Sequence, residues 1–351
     1  MTALQTTSSV RCPDAAALAQ VLVGHLVGHG ATVSTASHNE WRLTCREGTA
    51  QFVARSNVLN ITAYGHDAEQ LAEVQYLLTS HVGEFNVETP AEILWNGDGD
   101  AVSTLPNLRT IKVEAVRDLS PRIRRITFST PNLRRFDTLD ALHVKLLLPR
   151  KDTNLYFPNL NAFGTVEWGE PHERAVIRKY TIRDIRPAQN VFDIDFVIHA
   201  HGGPGSRFAA NASIGDVIGM MGPGGGSARP SQWNLLVGDE TALPAISRLI
   251  SALPRDARGV AVIEIDSDED RQELAAPSAM AIRWISRKSG TAWLINDIEA
   301  IDAPMQGSVF AWAGTEFDLF RKIRSSWRSG GRFTKADQLA VSYWRHGYAQ
   351  S

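Results

Sequence analysis

Only two cysteines, Cys12 and Cys45, occur in 351 residues. That scarcity excludes a disulfide framework and an iron–sulfur cluster held by four thiolates. The pair reads as ordinary buried or half-buried thiols. No apolar run in the chain approaches the length of a membrane-spanning helix, roughly 18 residues. Met1 to Val10 carry no secretory pattern of basic then apolar residues. A reducing, cytoplasmic setting is the expectation. Charge of one sign is also lacking, since 36 Lys and Arg stand against 38 Asp and Glu for a formal net charge of −2. Such a balance gives no bulk attraction to nucleic acid or to an anionic membrane, so any anionic ligand has to be held by a local basic pocket. The run Gly222-Pro223-Gly224-Gly225-Gly226-Ser227 lacks the Gly-Lys-Ser/Thr ending of a Walker loop and reads as a hinge.

Length and patterning divide the chain into three expected domains. Residues 1–96 read as a small α+β domain, with helices over Asp14 to His29 and Asp67 to His81. Its strands fall near Trp41 to Cys45, Ala50 to Ala54 and Val58 to Ala63. The polar turn stretch Asn96-Gly97-Asp98-Gly99-Asp100 marks its end. Residues 107–228 hold six strand candidates rich in Val, Ile and Phe: 111–115, 123–129, 143–148, 178–185, 191–198 and 217–221. A closed antiparallel barrel is the economical arrangement for them. Residues 232–351 alternate strand and helix, which predicts a parallel sheet whose ligands sit at the carboxyl ends of its strands, at 238–241 and 314–316.

The chemistry concentrates in Arg178-Lys179-Tyr180-Thr181-Ile182-Arg183 and in the later His199 and Gly203-Pro204-Gly205-Ser206-Arg207-Phe208. Arg178 and Tyr180 lie two apart on a strand and share a face. The guanidinium suits a phosphate, the phenol ring an aromatic cofactor. The glycine turn adds bare N–H groups and the Ser206 hydroxyl, as a loop over a pyrophosphate requires. Together they read as a flavin site.

With Asp140-x-x-His143-Val144-Lys145-Leu146-Leu147-Leu148-Pro149, Gly238-Asp239-Glu240-Thr241-Ala242-Leu243-Pro244-Ala245-Ile246, Trp312-Ala313-Gly314 and Tyr343-Trp344-Arg345-x-Gly347, the run Arg178 to Arg183 makes five motifs over about residues 106 to 348. In that order they resemble the siderophore-interacting proteins, FAD-dependent ferric-siderophore reductases of the ferredoxin-reductase superfamily. The resemblance implies a ferredoxin-reductase-like fold, FAD as cofactor, NADH, NADPH or ferredoxin as electron donor, and a ferric siderophore as substrate. It implies that Arg178, Tyr180, Thr181 and Arg183 hold the flavin phosphate and ring. His199, Gly203, Gly205, Ser206 and Phe208 cover the pyrophosphate and adenine side. Lys145 attracts the siderophore. The chain departs from the family where basic residues are usual, with Gly224 in the barrel-end turn and Leu339 and Val341 before Tyr343, so Arg332 and Lys335 are the expected substitutes. The first hundred residues lie outside these motifs and look like a small domain of uncharacterised function. A general flavin oxidoreductase with another acceptor, or a non-catalytic siderophore- or flavin-binding protein, are the alternatives.

Three further clusters bear on ligands. Asp239 and Thr241, with Trp344 from the last motif, are expected near the cofactor, although Asp239 or Thr241 can equally serve as a helix N-cap. Glu264 and Asp266 suit a ribose 2′-hydroxyl and so favour NADH, while Arg271, Arg283, Arg287 and Lys288 keep NADPH open. His25 and His29 have metal-ligand spacing on one helix face, but a polar helix face is the expected reading and no metal is expected. His81 completes three ligands only if the fold brings it close. Neither the siderophore nor the oligomeric state is legible.

Overall fold

A computed structural model describes residues 3–45, 47–85, 93–98, 105–150, 156–161, 165–199, 202–229, 231–304, 306–331 and 333–348. Gly99 and Asp100 of the expected linker, and Arg332, lie outside them. Two compact units result, one of residues 1–108 with 156–174, the other of 109–155 with 175–351. No helix among the described residues is long and apolar enough to cross a membrane.

In the first unit, strands β1 (Leu4–Arg11), β2 (Thr32–Ala36), β3 (Glu40–Cys45), β4 (Gly48–Arg55), β5 (Val58–Gly65) and β6 (Asn96–Gly97) form one sheet in the order β2-β3-β4-β5-β1-β6. Alternation in β4 and β5 buries Phe52, Leu59 and Ile61. Helix α1 (Ala15–Gly28) starts where the Asp14 carboxylate accepts from the N–H groups of Ala16 and Ala17 at 3.0 and 2.9 Å. It buries Leu18, Leu22 and Leu26, spaced by four, and α2 (Ala68–Phe85) likewise buries Leu71, Val74, Leu78 and Val82. Patterning predicts both helices but neither β1 nor β2. The inward residues of β1 are Thr6, Ser8 and Val10, a mostly polar inner face that hydrophobic periodicity does not flag.

The second unit begins with β7 (Leu108–Asp118), β8 (Ile123–Ser129) and β9 (His143–Leu148). Two short strands that follow in sequence, β10 (Asn159–Leu160) and β11 (Val166–Glu167), pair with each other inside the first unit. β12 (Val176–Arg186), β13 (Val191–Val197) and β14 (Val217–Gly224) then close a barrel in the order β12-β13-β8-β7-β14-β9. Its interior is filled by Phe128, Leu146, Phe192, Ile194, Phe196 and their neighbours, all buried. Between β13 and β14 the segment read as a turn is instead helix α3 (Pro204–Asn211). Gly203 is its N-cap and Pro204, with no N–H to satisfy, opens its first turn.

Beyond the barrel come β15 (Trp233–Gly238), α4 (Leu243–Ser251), β16 (Arg258–Ile265), β17 (Ala279–Ser286), α5 (Thr291–Glu299), β18 (Val309–Glu316), α6 (Phe317–Ser329) and β19 (Gln338–Trp344). The five strands are parallel, in the order β17-β16-β15-β18-β19. Leu236, Ala261 and Trp312 face α4, while Leu235, Val262 and Ala311 face α5 and α6, so the sheet is covered on both sides. The chain leaves β15 first to one side and then to the other, which opens a crevice between the carboxyl ends of β15 and β18. Gly238 and Gly314 pair there. A Cβ on Gly238 would stand 2.6 Å from the Ala242 Cβ and 3.1 Å from the Gly314 carbonyl, so only glycine permits this approach. Buried Arg248 of α4 ties sheet to barrel by donating to the carbonyls of Phe136 and Thr138 at 2.7 and 3.0 Å.

Candidate flavin and substrate site

The barrel end bearing Arg178 and Tyr180 meets the start of α3. Arg178 donates to the Ile177 carbonyl at 2.7 Å, and among the described residues no carboxylate pairs with it. Burial and the neighbouring Arg207 make its charge harder to hold, while Tyr180 partly offsets them. No side chain caps α3. Two guanidiniums beside an uncapped helix start could hold an anion, because helix N–H groups and fixed cations both favour negative charge. Tyr180 stands against Gly205 so closely that a Cβ there would lie 1.9 Å from the phenol oxygen. Its ring also packs 4.4 Å from that of Phe196, and burial pushes its hydroxyl pKa up. Ser206 is buried and accepts from the His199 N–H at 3.2 Å, and Gly202 closes the turn on the His199 carbonyl at 2.9 Å. Phe208 lines a separate cavity of about 240 Å³ with Pro149, Asn211, Asp216, Val217 and Ile218, whose walls include neither Arg178 nor Tyr180. Cations without a carboxylate partner among the described residues and a closely approached glycine turn are groups that could hold the phosphates of FAD.

Arg183 is placed differently. A bulge between Ile182 and Asp184 makes it the extra residue of β12. It is drawn toward Asp195, at 3.8 Å, which Arg125 already holds through two bonds of 2.7 and 2.9 Å. Its Nε is buried without a hydrogen-bond partner, and burial pulls its pKa down. The structure therefore puts Arg183 in an acidic network with Asp193 and Asp195 rather than beside Arg178.

On the alternate face of β12, register brings out what spacing alone did not. Lys179 lies directly opposite Lys145 of β9, and Thr181 opposite His143. Both lysines are exposed. Burial and these two charges hold His143 down at about 4, so it is neutral at pH 7. The imidazole rests against Gly224 and Gly225, where an added Cβ would meet ring nitrogens at 3.0 and 2.8 Å. Like charges facing each other across a strand pair are destabilising, so this arrangement invites an anion. Lys179 was not legible as a site residue, since it points away from Arg178 and Tyr180. Its pairing with Lys145 is visible only through the β9–β12 register.

Thr181 also reaches the last strand, for the Tyr343 hydroxyl bonds it. Beside Tyr343, Trp344 donates its indole N–H to Asp239 at 2.7 Å. Asp239 in turn accepts from the Thr241 N–H and hydroxyl at 2.8 and 2.5 Å. The three expected cofactor neighbours thus bond to one another, across the crevice of the parallel sheet. Lys335 is exposed in the turn before β19, at the far end of that strand from Trp344. Of the cations expected to leave room for a 2′-phosphate, Arg287 binds Glu240 and Glu264, Arg283 binds Asp297, and Arg271 binds Asp268. Asp266 pairs with Arg122, and a polar cavity of about 370 Å³ lies between them and Ser267, Ser286 and Lys288.

Complete burial and the adjacent Glu240 push the Asp239 carboxyl up to about 6. A folded pKa above the unfolded one means that its contribution to stability is full below about 4 and lost as pH rises through about 6. The stability advantage of the wild type over Asp239→Asn is therefore expected to shrink from pH 4 to pH 6.5 and then level off. Urea unfolding at each pH measures it. A constant difference over that range would show that Asp239 titrates normally.

Comparison with known proteins agrees with this geometry. Residues 112–227 match the siderophore-interacting FAD-binding domain, residues 231–347 the siderophore-interacting protein domain, and residues 7–96 a family described as an uncharacterized protein conserved in bacteria. The chain is 30% identical to the ferric vibriobactin reductase ViuB of Vibrio cholerae over 235 residues, 65% of this chain and 86% of ViuB. Among solved structures, the siderophore-interacting protein SipS of Aeromonas hydrophila aligns at 32% identity and a TM-score of 0.59, over 71% of this chain and 94% of SipS. A siderophore utilization protein from T. fusca aligns at 32% identity with a TM-score of 0.59, over 69% of this chain and 94% of its own. Barrel, parallel sheet and both consecutive domain matches place this chain in the siderophore-interacting protein family.

Proposed function

We propose that this protein is an FAD-dependent ferric-siderophore reductase that takes electrons from a nicotinamide donor and releases iron as Fe(II) in the cytoplasm. The observation that carries this reading is Lys145 facing Lys179 across β9 and β12, on the strand that also bears Arg178 and Tyr180. An anionic metal complex and a flavin are thereby served by adjacent positions of one strand. Arg178, with Arg207 and the start of α3, would hold the pyrophosphate, and Tyr180 would pack against the cofactor. When bound, FAD accepts two electrons from the donor and passes them singly to Fe³⁺. The residues need supply no acid or nucleophile. Lys145 and Lys179 would orient the anionic complex by charge, and neutral His143, two residues along β9 from Lys145, adds no charge of its own. Siderophores hold Fe³⁺ by hard oxygen donors, and the lower charge of Fe²⁺ weakens that hold. Three of the four expected 2′-phosphate cations are already paired with carboxylates, which favours NADH over NADPH. Ferredoxin is the remaining donor.

The test is anaerobic. The purified protein should be yellow, bleach with NADH, and recover its colour on adding a ferric hydroxamate or ferric catecholate, with Fe²⁺ trapped by a chromogenic chelator. Lys145→Ala and Lys179→Ala should each raise KM for the siderophore by about two- to fivefold at low salt, since an exposed charge contact contributes about 0.5–1 kcal/mol. FAD content should not change. The difference should fade as salt screens the attraction beyond about 8 Å at physiological strength. A flavin that no donor reduces would overturn the enzymatic reading, and unchanged KM in both variants would remove the lysines from it.

A further inference from the structure

The first unit contains a cluster that the reductase reading does not use. His25 and His29 lie one turn apart on α1, and His81 and Glu84 one turn apart on α2. The helices pack together and bring the rings into contact. Ring centroids are 4.5 Å apart for His25 and His29, 4.6 Å for His25 and His81, and 5.7 Å for His29 and His81. The condition left open by spacing, that the fold bring His81 to the other two, is met. Ligand atoms of His25, His81 and Glu84 all lie within 4.8 Å of one another.

We propose that His25, His81 and Glu84, with His29 beside them, form a binding site for a divalent first-row transition metal. Two observations support it. His25 Nε2 is buried without a hydrogen-bond partner. A buried ring nitrogen in that condition has lost its water and gained nothing in return, and a metal ion at the centre of the cluster would satisfy it. His81 Nδ1 stands 3.4 Å from Glu84 Oε2, so the carboxylate is positioned either to ligate or to orient that ring.

The geometry needs only small adjustment. Donors about 2.1 Å from a tetrahedral ion stand about 3.4 Å apart, and His29 and Glu84 are exposed side chains free to turn inward. Imidazoles with one carboxylate and no thiolate select Zn²⁺, Fe²⁺ and their neighbours rather than Ca²⁺ or Cu⁺. By the Irving–Williams order the same donors hold Fe²⁺ more weakly than Zn²⁺, so iron released by reduction would be held reversibly. That last consequence rests on the proposed reductase activity. The site itself does not, and the titration that tests it needs no turnover.

The test uses tag-free, full-length, flavin-loaded protein, stripped of metal with a chelator and titrated calorimetrically with Zn²⁺. One equivalent is expected to bind, and His25→Ala and His81→Ala should weaken it by about tenfold or more. His29→Ala and Glu84→Gln, at exposed positions, should do so without disturbing the fold, which guards against a loss caused by misfolding. His38→Ala, exposed elsewhere in the same unit, should bind as the wild type does. Absence of saturable binding in the wild type, or equal binding in all four cluster variants, would overturn the proposal.

Discussion

Arg178→Ala is expected to lower FAD affinity by about ten- to a hundredfold, because a charge-assisted phosphate contact contributes roughly 1.5–3 kcal/mol. The protein should lose its yellow colour on dilution or gel filtration while its far-ultraviolet spectrum stays unchanged. Stability should not suffer. Among the described residues Arg178 bonds only to the carbonyl of its own neighbour, and burial beside Arg207 already disfavours its charge. Removing it relieves a repulsion in the free protein, so the loss should be confined to the holoprotein. Arg178→Lys should recover only part of the affinity, since an ammonium lacks the planar fork that meets two phosphate oxygens at once. Full flavin retention by the Ala variant on dilution would mean that the phosphate lies elsewhere, and the α3 start would then have to bind it with Arg207 alone.

What was legible in the sequence follows the physical range of the signals. Strand β13 alternates, burying Phe192, Ile194 and Phe196, and helix α6 buries Leu319, Ile323 and Trp327 at helical spacing, so both are readable locally. β19 carries Leu339, Val341 and Tyr343, but all seven residues are half-buried, so it shows no buried and exposed alternation. Only its family motif marked it. The short helix α5 begins after Gly290 without a side-chain cap and went unpredicted for the same lack of local signal. The candidate site shows the same division. Arg178 and Tyr180 share a face by strand period alone, whereas the Lys145–Lys179 pair depends on how two strands register, and the His25–His81 contact on how two helices pack. Arg183 is the bulged residue of β12, a position that residue types do not reveal and that only the pairing with β13 shows. The assignment of residues 156–174 to the first unit is non-local in the same sense.

Trp312→Ala is expected to cost about 3–5 kcal/mol, the range for truncating a large buried aromatic side chain, out of the 5–15 kcal/mol typical of a whole domain. Trp312 is 1% exposed on the central part of β18, pairing with Leu236 of β15 on one side and Leu339 of β19 on the other. Its ring lies over Gly314, where an added Cβ would come within 2.7 Å of the indole, and meets Tyr343 edge-on at 5.9 Å and 89°. A rigid parallel sheet with glycine at that crevice cannot collapse to fill the space, so most of the cavity should persist. The damage should also reach the site. Tyr343 would lose the ring that fixes it, and its hydroxyl is bonded to Thr181 beside Tyr180. Urea unfolding followed by circular dichroism should show the fall in midpoint, and flavin release during the same titration should precede global unfolding. Trp312→Phe, which keeps an aromatic ring against Tyr343, should lose less than half as much. A loss below about 1 kcal/mol for the Ala variant would show that β19 and α4 close over the gap. The crevice would then be a flexible feature of the fold, and the contact from Trp312 through Tyr343 to Thr181 would no longer explain how the sheet supports the flavin strand.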